Sequence, residues 1–187
     1  MTTSTIPTLS ALTGTYTIDP SHSRVGFVAR HAMVTKVRGG FNEFEGSFHA
    51  DAENPAASSA QLVIQADSID TRNADRDAHL RSNDFFAMDE HPTLTFQSTT
   101  IKKVGEAQFE VTGELTVRGT TKPVTIDLEF TGSAVDPWGN TRVGFEGSTQ
   151  VNRKDWGLNW NTALDAGGVL VSEKVTLEFE ISATRNA

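Results

Sequence analysis

The feature that most constrains this chain is an alternation of apolar and polar residues that recurs along nearly its whole length. In the segment 24–31, for example, Val25, Phe27, Ala29 and His31 share one parity. A period of two places successive side chains on opposite faces of a β-strand. The pattern therefore predicts strands with one buried and one solvated face, an arrangement typical of antiparallel sheets.

Eight or nine segments carry this alternation, and turn residues such as Asn54-Pro55 and Gly167-Gly168 separate them. The predicted strands cover 15–18, 24–31, 44–51, 60–67, 94–98, 109–117, 124–130, 143–151 and 175–181. A sandwich and a closed barrel both fit the pattern. An outer-membrane barrel does not fit, because its outer face meets lipid and the polar rows here carry charges such as Glu110, Asp127 and Glu178. A water-soluble barrel is favoured.

The apolar rows combine large rings with very small residues. Phenylalanine supplies 11 residues, against 3 tryptophans and a single tyrosine, whereas Gly46, Gly113 and Gly147 share the inward parity. These glycines have two interpretations: they coil the strands for barrel closure, or they leave a lumen with phenylalanine walls. An eight-stranded barrel is just wide enough to hold one small ligand. The second interpretation predicts that Gly113→Leu or Gly46→Phe fills the lumen of a folded protein.

Two segments break the alternation. Residues 72–86 are predicted to form one helix, with Asn73 as its N-cap and Asp75 and Asp77 in the first turn, where the helix dipole favours them. Residues 152–160 are rich in tryptophan and interrupted by Gly157. They are predicted to form a loop or a single helical turn that covers an opening of the barrel.

Most sites of known chemistry are not indicated. The chain has no cysteine, which excludes disulfides, thiolate metal sites and cysteine nucleophiles. Its five histidines lack metal-ligand spacing, so no metal site is predicted. The run 19–23 (DPSHS) is expected to cap backbone groups rather than to catalyse. A net charge of −8 argues against nucleic acid as a partner.

The chain ends are predicted from composition. Residues 1–13 are expected to be a disordered arm, followed by a single barrel domain over 14–187. The first residues contain no Lys or Arg and no continuous apolar run, so neither a signal peptide nor a transmembrane segment is expected. The expected location is cytoplasmic.

An ordered series of motifs resembles the YceI-like family of polyisoprenoid-binding proteins. Each motif is weak alone, but together they cover about residues 14–185 in the family's order. They are Asp19-Pro20-Ser21-His22-Ser23 with Phe27 and His31; Val37-Arg38-Gly39 with Phe41, Phe44 and Gly46; Ser68-Ile69-Asp70-Thr71; Arg76-Asp77 with His79-Leu80-Arg81-Ser82 and Asp84-Phe85-Phe86; His91-Pro92 with Leu94, Phe96 and Ser98; Gly113 with Leu115-Thr116-Val117-Arg118-Gly119 and Thr121-Lys122-Pro123-Val124; and Asn152-Arg153 with Asp155-Trp156-Gly157-Leu158 and Trp160.

The resemblance implies an all-β fold with one or two short helices: an antiparallel, eight-stranded, lipocalin-like barrel around an elongated apolar cavity. It also implies a bound polyisoprenoid or isoprenoid quinone as ligand, with no required cofactor. Members of the family include exported and cytoplasmic proteins, and dimers are common among them. A homodimer is therefore an open expectation.

Residues and resemblance together give the hypothesis of a non-catalytic protein that binds, stores or transports a long-chain isoprenoid lipid. The predicted wall is Phe27, Ala29, Phe44, Leu62, Phe96, Leu115, Val117, Ile126 and Phe145, and the predicted ends are shaped by Trp156, Leu158 and Trp160. His31, Arg76 and His79 are the candidates for a polar head group. The alternative is an isomerase or hydrolase in the same pocket, in which His31 or His79 titrates near neutral pH. A third possibility is an empty barrel that acts through its surface in a stress response.

Overall fold

The computed structural model, which describes residues 9–165 and 167–187, consists largely of antiparallel strands. The strands are β1 (Gly14–Ile18), β2 (Arg24–His31), β3 (Thr35–Phe41), β4 (Phe44–Ala50), β5 (Ser59–Gln65), β6 (Ile69–Asp70), β7 (Thr93–Lys103), β8 (Gln108–Val117), β9 (Thr120–Val135), β10 (Thr141–Asn152) and β11 (Lys174–Arg185). One α-helix, α1, spans Ala74–Arg81, and single 3₁₀ turns lie at Leu9–Leu12, Pro20–His22, Pro55–Ala57, Ala66–Ser68 and Arg153–Trp156. The all-β prediction is confirmed.

The eleven strands close into a barrel of eight strand positions. Three of these positions are each filled by two short strands that lie one after the other. β1 and β2 both pair with β11, through Ile18–Ala183 and Val25–Phe179. β4 pairs with β1 and β3 with β2, while β5 pairs with β4 and β6 with β3. These composite positions and the strands β7 to β11 make a closed antiparallel barrel of eight positions, as predicted.

Strand β3 is absent from the predicted strands. Its sequence contains the pair Gly39-Gly40, and glycine has no side chain to mark a buried face, so the alternation disappears. In the structure Gly39 lies opposite Phe27 of β2, and a Cβ on Gly39 would overlap the Phe27 ring. Gly39 therefore interrupts the alternation in the sequence, and it also leaves room for the Phe27 ring to pack against the backbone of β3.

Helix α1 is shorter than predicted. Asn73 is its N-cap, as expected, and its side chain accepts a hydrogen bond from the Arg76 backbone N–H. The helix ends at Arg81 rather than at residue 86, because the Ser82 hydroxyl donates to the His79 carbonyl and Ser-Asn-Asp favours a turn. Within the described ranges, no helix is long and apolar enough to cross a bilayer.

The predicted N-terminal arm, residues 1–13, includes a turn that packs against the barrel. Residues 1–8 lie outside the described residues. Leu9–Leu12 form a 3₁₀ turn, the Leu12 side chain is buried, and the Leu12 carbonyl accepts a hydrogen bond of 2.7 Å from the Tyr16 hydroxyl. This turn packs against β1, and the division into an arm of residues 1–13 and a domain of residues 14–187 stays a prediction.

The inward rows follow the predicted parity over the predicted strands, and the sheet has two register shifts, one between β9 and β10 at Gly144/Phe145 and one in β7. Its pairing with β8 slips between Ser98 and Thr100, which marks a β-bulge. Beyond the bulge, Ile101 lines the interior. A bulge inserts one extra residue and so moves every later side chain to the other face, which is why simple alternation stops predicting β7 at Ser98.

The glycines on the inward rows have a structural role that the sequence left open. At Gly113, a Cβ would overlap the Phe96 ring and lie 2.6 Å from the Gln97 carbonyl oxygen. A larger side chain would therefore collide with the wall before it reached the lumen. Gly113→Leu therefore requires the Phe96 ring to move, and the expectation that this variant folds with a filled lumen stays a prediction.

Gly39 offers a test of this packing, since the three atoms nearest to its Cβ position all belong to the Phe27 ring. We expect Gly39→Val to destabilise the wild-type protein by about 1–3 kcal/mol, as overpacking does. In a Phe27→Ala background the clash is absent, and valine in a strand should then be neutral or stabilising. Urea denaturation of the four proteins gives the coupling free energy. Equal effects of Gly39→Val in both backgrounds would contradict the packing.

Candidate ligand-binding site

The barrel encloses an elongated cavity of about 350 Å³, near the lower end of the roughly 300–1,000 Å³ usual for ligand pockets. Its wall is almost entirely aliphatic and aromatic. The rings that line it are Tyr16, Phe27, Phe41, Phe48, Phe85, Phe86, Phe96, Phe109, Phe130, Phe145, Trp156 and Phe179. Because strands alternate, the polar side chains of the same strands are placed outside, and the interior accepts apolar groups.

Most of the predicted wall residues lie where the parity placed them. Those that line the cavity are Phe27, Ala29, Leu62, Phe96, Leu115, Val117, Ile126, Phe145, Trp156 and Leu158. Which of them contacts a ligand stays a prediction. Their shared position on the inward rows follows from period two alone.

Phe44 and Trp160 are placed elsewhere. Phe44 is buried in the core around the cavity but does not line it. The Trp160 ring packs beside the rings of His79 and Phe85, with centroid distances of 4.5 Å and 5.5 Å. Trp160 therefore supports the wall from behind rather than forming it.

The three polar candidates do not line the cavity either. His31 is exposed, so the inward orientation predicted for it is wrong: β2 pairs with β11 only from Arg24 to Val28, and His31 lies beyond this stretch. The Arg76 guanidinium donates to the Thr71 hydroxyl and carbonyl at 2.7 Å and 2.6 Å. His79 Nε2 lies 2.8 Å from a carboxylate oxygen of Asp84. Arg76 and His79 thus hold the α1 region together.

One end of the cavity is closed by the segment that was predicted to cover an opening. Arg153–Trp156 form a single 3₁₀ turn that ends at Gly157. The Trp156 indole N–H donates to the Leu115 carbonyl at 2.9 Å, which fixes the ring across the barrel. Phe85 and Leu158, both buried, complete this closed end.

Most of the polar residues of the lining lie at the opposite end. Ser58 and Ser59, with Asp51 and Ala52, line the cavity at the turn between β4 and β5, and His49 precedes them. His49 and Ser59 are exposed, and Asp51 is half-buried. The cavity therefore approaches solvent at this turn, and the two ends differ in polarity.

Sequence reasoning missed Arg153, which is 6% exposed and lines the closed end. A signal was present, since Arg153 has the same parity as Val143, Phe145 and Val151 of β10, although it lies one residue beyond that strand. Arginine is rarely buried, so its charge argued against an interior position for Arg153. Burial lowers the pKa of Arg153, and the charge of Glu173 acts in the opposite direction.

The run 19–23 caps the backbone, as predicted, and lies at the junction of β1 and β2. Asp19 accepts hydrogen bonds from the Ser21 backbone N–H and hydroxyl at 3.0 Å and 2.6 Å, and it pairs with Arg142 at 2.8 Å. Ser21, followed by Arg142 and His22, holds the pKa of the Asp19 carboxyl well below its usual range. This cluster fixes the kink that lets two short strands share one barrel position.

The YceI-like domain model matches residues 16–183. The chain belongs to the YceI-like family. It is 42% identical over 150 residues to a UPF0312 protein of Azotobacter vinelandii, covering 79% of this chain and 78% of that protein. It is 40% identical over 177 residues to a UPF0312 protein of Pseudomonas aeruginosa, covering 94% of this chain and 89% of that protein.

Several solved structures share the fold. Burkholderia cenocepacia BcnA superposes with a TM-score of 0.79 at 24% identity, covering 89% of this chain and 99% of BcnA. A Campylobacter jejuni YceI protein gives a TM-score of 0.72 at 25% identity, covering 84% of this chain and 90% of that one. A polyisoprenoid binding domain from Saccharophagus degradans gives 0.70 at 18% identity, covering 91% and 98%. The lipocalin-like barrel predicted from the motifs is confirmed.

Tyr16 is the single tyrosine of the chain and reports on the cavity wall. Its ring is 1% exposed, and burial raises its pKa above the ordinary value of 10.0, against the opposing charge of Arg185. We therefore expect an ultraviolet titration of the folded protein to show a midpoint above pH 10. The protein unfolded in urea, measured in the same way, is the control and should titrate near 10. A midpoint at or below 10 in the folded protein would contradict the burial of this phenol.

Proposed function

We propose that this chain binds, stores or transports a long-chain isoprenoid lipid, of polyprenyl or quinone type, inside its barrel. The observation that carries the proposal is the elongated cavity of about 350 Å³ with an almost wholly apolar wall. Such a wall offers an isoprene chain burial worth about 25 cal/mol per Å² of apolar surface. The Saccharophagus degradans neighbour, described as a polyisoprenoid binding domain, supports the same class of ligand.

The shape of the cavity supports an extended ligand rather than a compact one. The lining runs from Trp156 at the closed end to Ser58 at the β4–β5 turn. A chain longer than the enclosed volume can pass out at this turn, where the lining is partly exposed. Selection for chain length is therefore expected to be loose.

A carrier role is favoured over the alternative of an isomerase or hydrolase. That alternative requires His31 or His79 beside an apolar substrate, and neither lines the cavity. His79 is engaged with Asp84, and His31 is exposed at the end of β2. The homodimer and the cytoplasmic location stay predictions.

The direct test is organic extraction of the purified protein followed by mass spectrometry. We expect an isoprenoid lipid at close to one molecule per chain. Reloading of the extracted protein with an isoprenoid quinone then gives an affinity, which the quenching of tryptophan fluorescence can report. A protein that carries no lipid and cannot be reloaded would contradict the proposal.

A matched pair of variants separates the lumen from the outer surface. Val151 lines the cavity, whereas its neighbour Gln150 is exposed on the outside of β10. We expect Val151→Phe to reduce the amount of bound lipid at least tenfold, because the added ring occupies the lumen. Gln150→Phe adds the same ring outside and should retain wild-type binding. Equal lipid contents in the two folded variants would contradict a ligand inside the barrel.

A further inference from the structure

The closed end of the apolar cavity contains a buried guanidinium. Arg153 is 6% exposed and lies next to Phe85, with its central carbon 5.9 Å from the centre of that ring. Among the described lining residues, Arg153 and Asp51 are the two of the Lys, Arg, Asp and Glu types. Asp51 lies at the opposite end, by the β4–β5 turn. The cavity therefore has an electrostatic direction, with a cation at its closed end.

Among the described residues, Arg153 has carbonyl dipoles rather than carboxylates within hydrogen-bonding range. Its Nε donates to the Ser172 carbonyl at 2.9 Å, one terminal nitrogen donates to the Leu158 carbonyl, and the other donates to the Val171 carbonyl at 3.3 Å. The ion pairs of the described residues do not include Arg153, and the nearby Glu173 pairs with Lys154 at 2.8 Å. A buried charge without a direct ion pair is expensive to maintain, and the charge of Glu173 offsets the burial only in part, so an arginine here calls for a reason beyond packing.

The guanidinium retains hydrogen-bonding capacity. It carries five N–H donors and no acceptor, and the three carbonyl bonds use one donor on each nitrogen. One N–H therefore remains on each terminal nitrogen. In a cavity whose wall is otherwise apolar, these donors would prefer an oxygen acceptor.

We propose that Arg153 recognises the head group of the bound lipid through an acceptor oxygen, so that the head lies at the closed end and the isoprenoid chain points toward the β4–β5 turn. This inference rests on the proposed function and adds the orientation of the ligand and the residue that selects its head. Arg153 is a specificity-determining residue in this view.

The number of donors limits the kind of head group. A phosphate head brings about two negative charges and at least three acceptor oxygens, more than one guanidinium with two spare donors can satisfy in an apolar enclosure. A carbonyl oxygen of a quinone ring needs one or two donors and brings no charge. The site therefore fits a neutral head with carbonyl oxygens better than a phosphorylated one.

The test compares two ligands that differ only in the head. The affinities of an isoprenoid quinone and of the hydrocarbon with the same isoprenoid chain are measured by competition with a fluorescent apolar probe. A hydrogen bond to a charged group predicts that the wild-type protein prefers the quinone by roughly ten- to a hundredfold. Arg153→Met should lower this preference to near one by weakening the quinone, with the hydrocarbon affinity unchanged.

Because Arg153 also clamps the loop after β10, a control must loosen the same loop while leaving the guanidinium in place. The Asn161 amide donates to the Val171 carbonyl at 2.8 Å and accepts from the Val171 N–H at 3.0 Å, and Asn161 does not line the cavity. Asn161→Ala should therefore keep the preference for the quinone. Arg153→Lys, which preserves the charge with a single donor group, should keep part of it.

The outcomes are distinguishable. If neither ligand binds the wild-type protein, the proposed function itself fails. If both bind with equal affinity, or if Asn161→Ala loses the quinone preference as fully as Arg153→Met, then Arg153 is a loop clamp and the inference is overturned. A tighter binding of the isoprenoid diphosphate than of the quinone would also overturn it.

Discussion

The fold depends on the short pairing that closes the barrel. β1 meets β11 at only three aligned pairs, Tyr16–Arg185, Thr17–Thr184 and Ile18–Ala183. Without this contact the strands would form an open sheet, and its apolar face would need another layer to cover it. Closure turns that face inward on itself and removes the sheet edges. The same contact places Tyr16 in the wall, so the closure of the sheet and the creation of the cavity are one event.

The cavity persists because the large rings pack against the wall rather than across the lumen. Phe27 lies over Gly39, and Phe96 lies over Gly113. A side chain on either glycine would push the ring away from the wall and into the space where a ligand would bind. Glycine within a strand weakens it locally, and here the loss is offset by a wall thin enough to leave a cavity of about 350 Å³. Stability and ligand capacity therefore depend on the same ring–glycine contacts.

The sequence predicted the parts of the site that depend on local periodicity. Phe145, Ile126 and Leu115 were placed on the wall because alternate residues of a strand face the same side. Arg153, one residue beyond β10, shares the parity of Phe145 and was overlooked, since charge argues for the surface. His31 was predicted to face inward and is exposed. Parity tells which face of a strand a residue occupies, but it does not tell where the strand stops pairing with the barrel. Arg76 and His79 had the right chemistry for a head group, but their partners, Thr71 and Asp84, are neighbours in sequence that the motifs alone did not connect to them.

What the sequence determined by itself was the set of strands with one apolar face, and with the family motifs it determined the barrel. Both rest on short-range regularities that each residue expresses through its own size and polarity. Tertiary structure alone decided that β3 pairs despite Gly39-Gly40, that the bulge after Ser98 turns Ile101 inward, and that Arg153 is buried at the closed end. Each of these depends on contacts between residues far apart in the chain, and burial is a property of the assembled sheet rather than of any one of its strands.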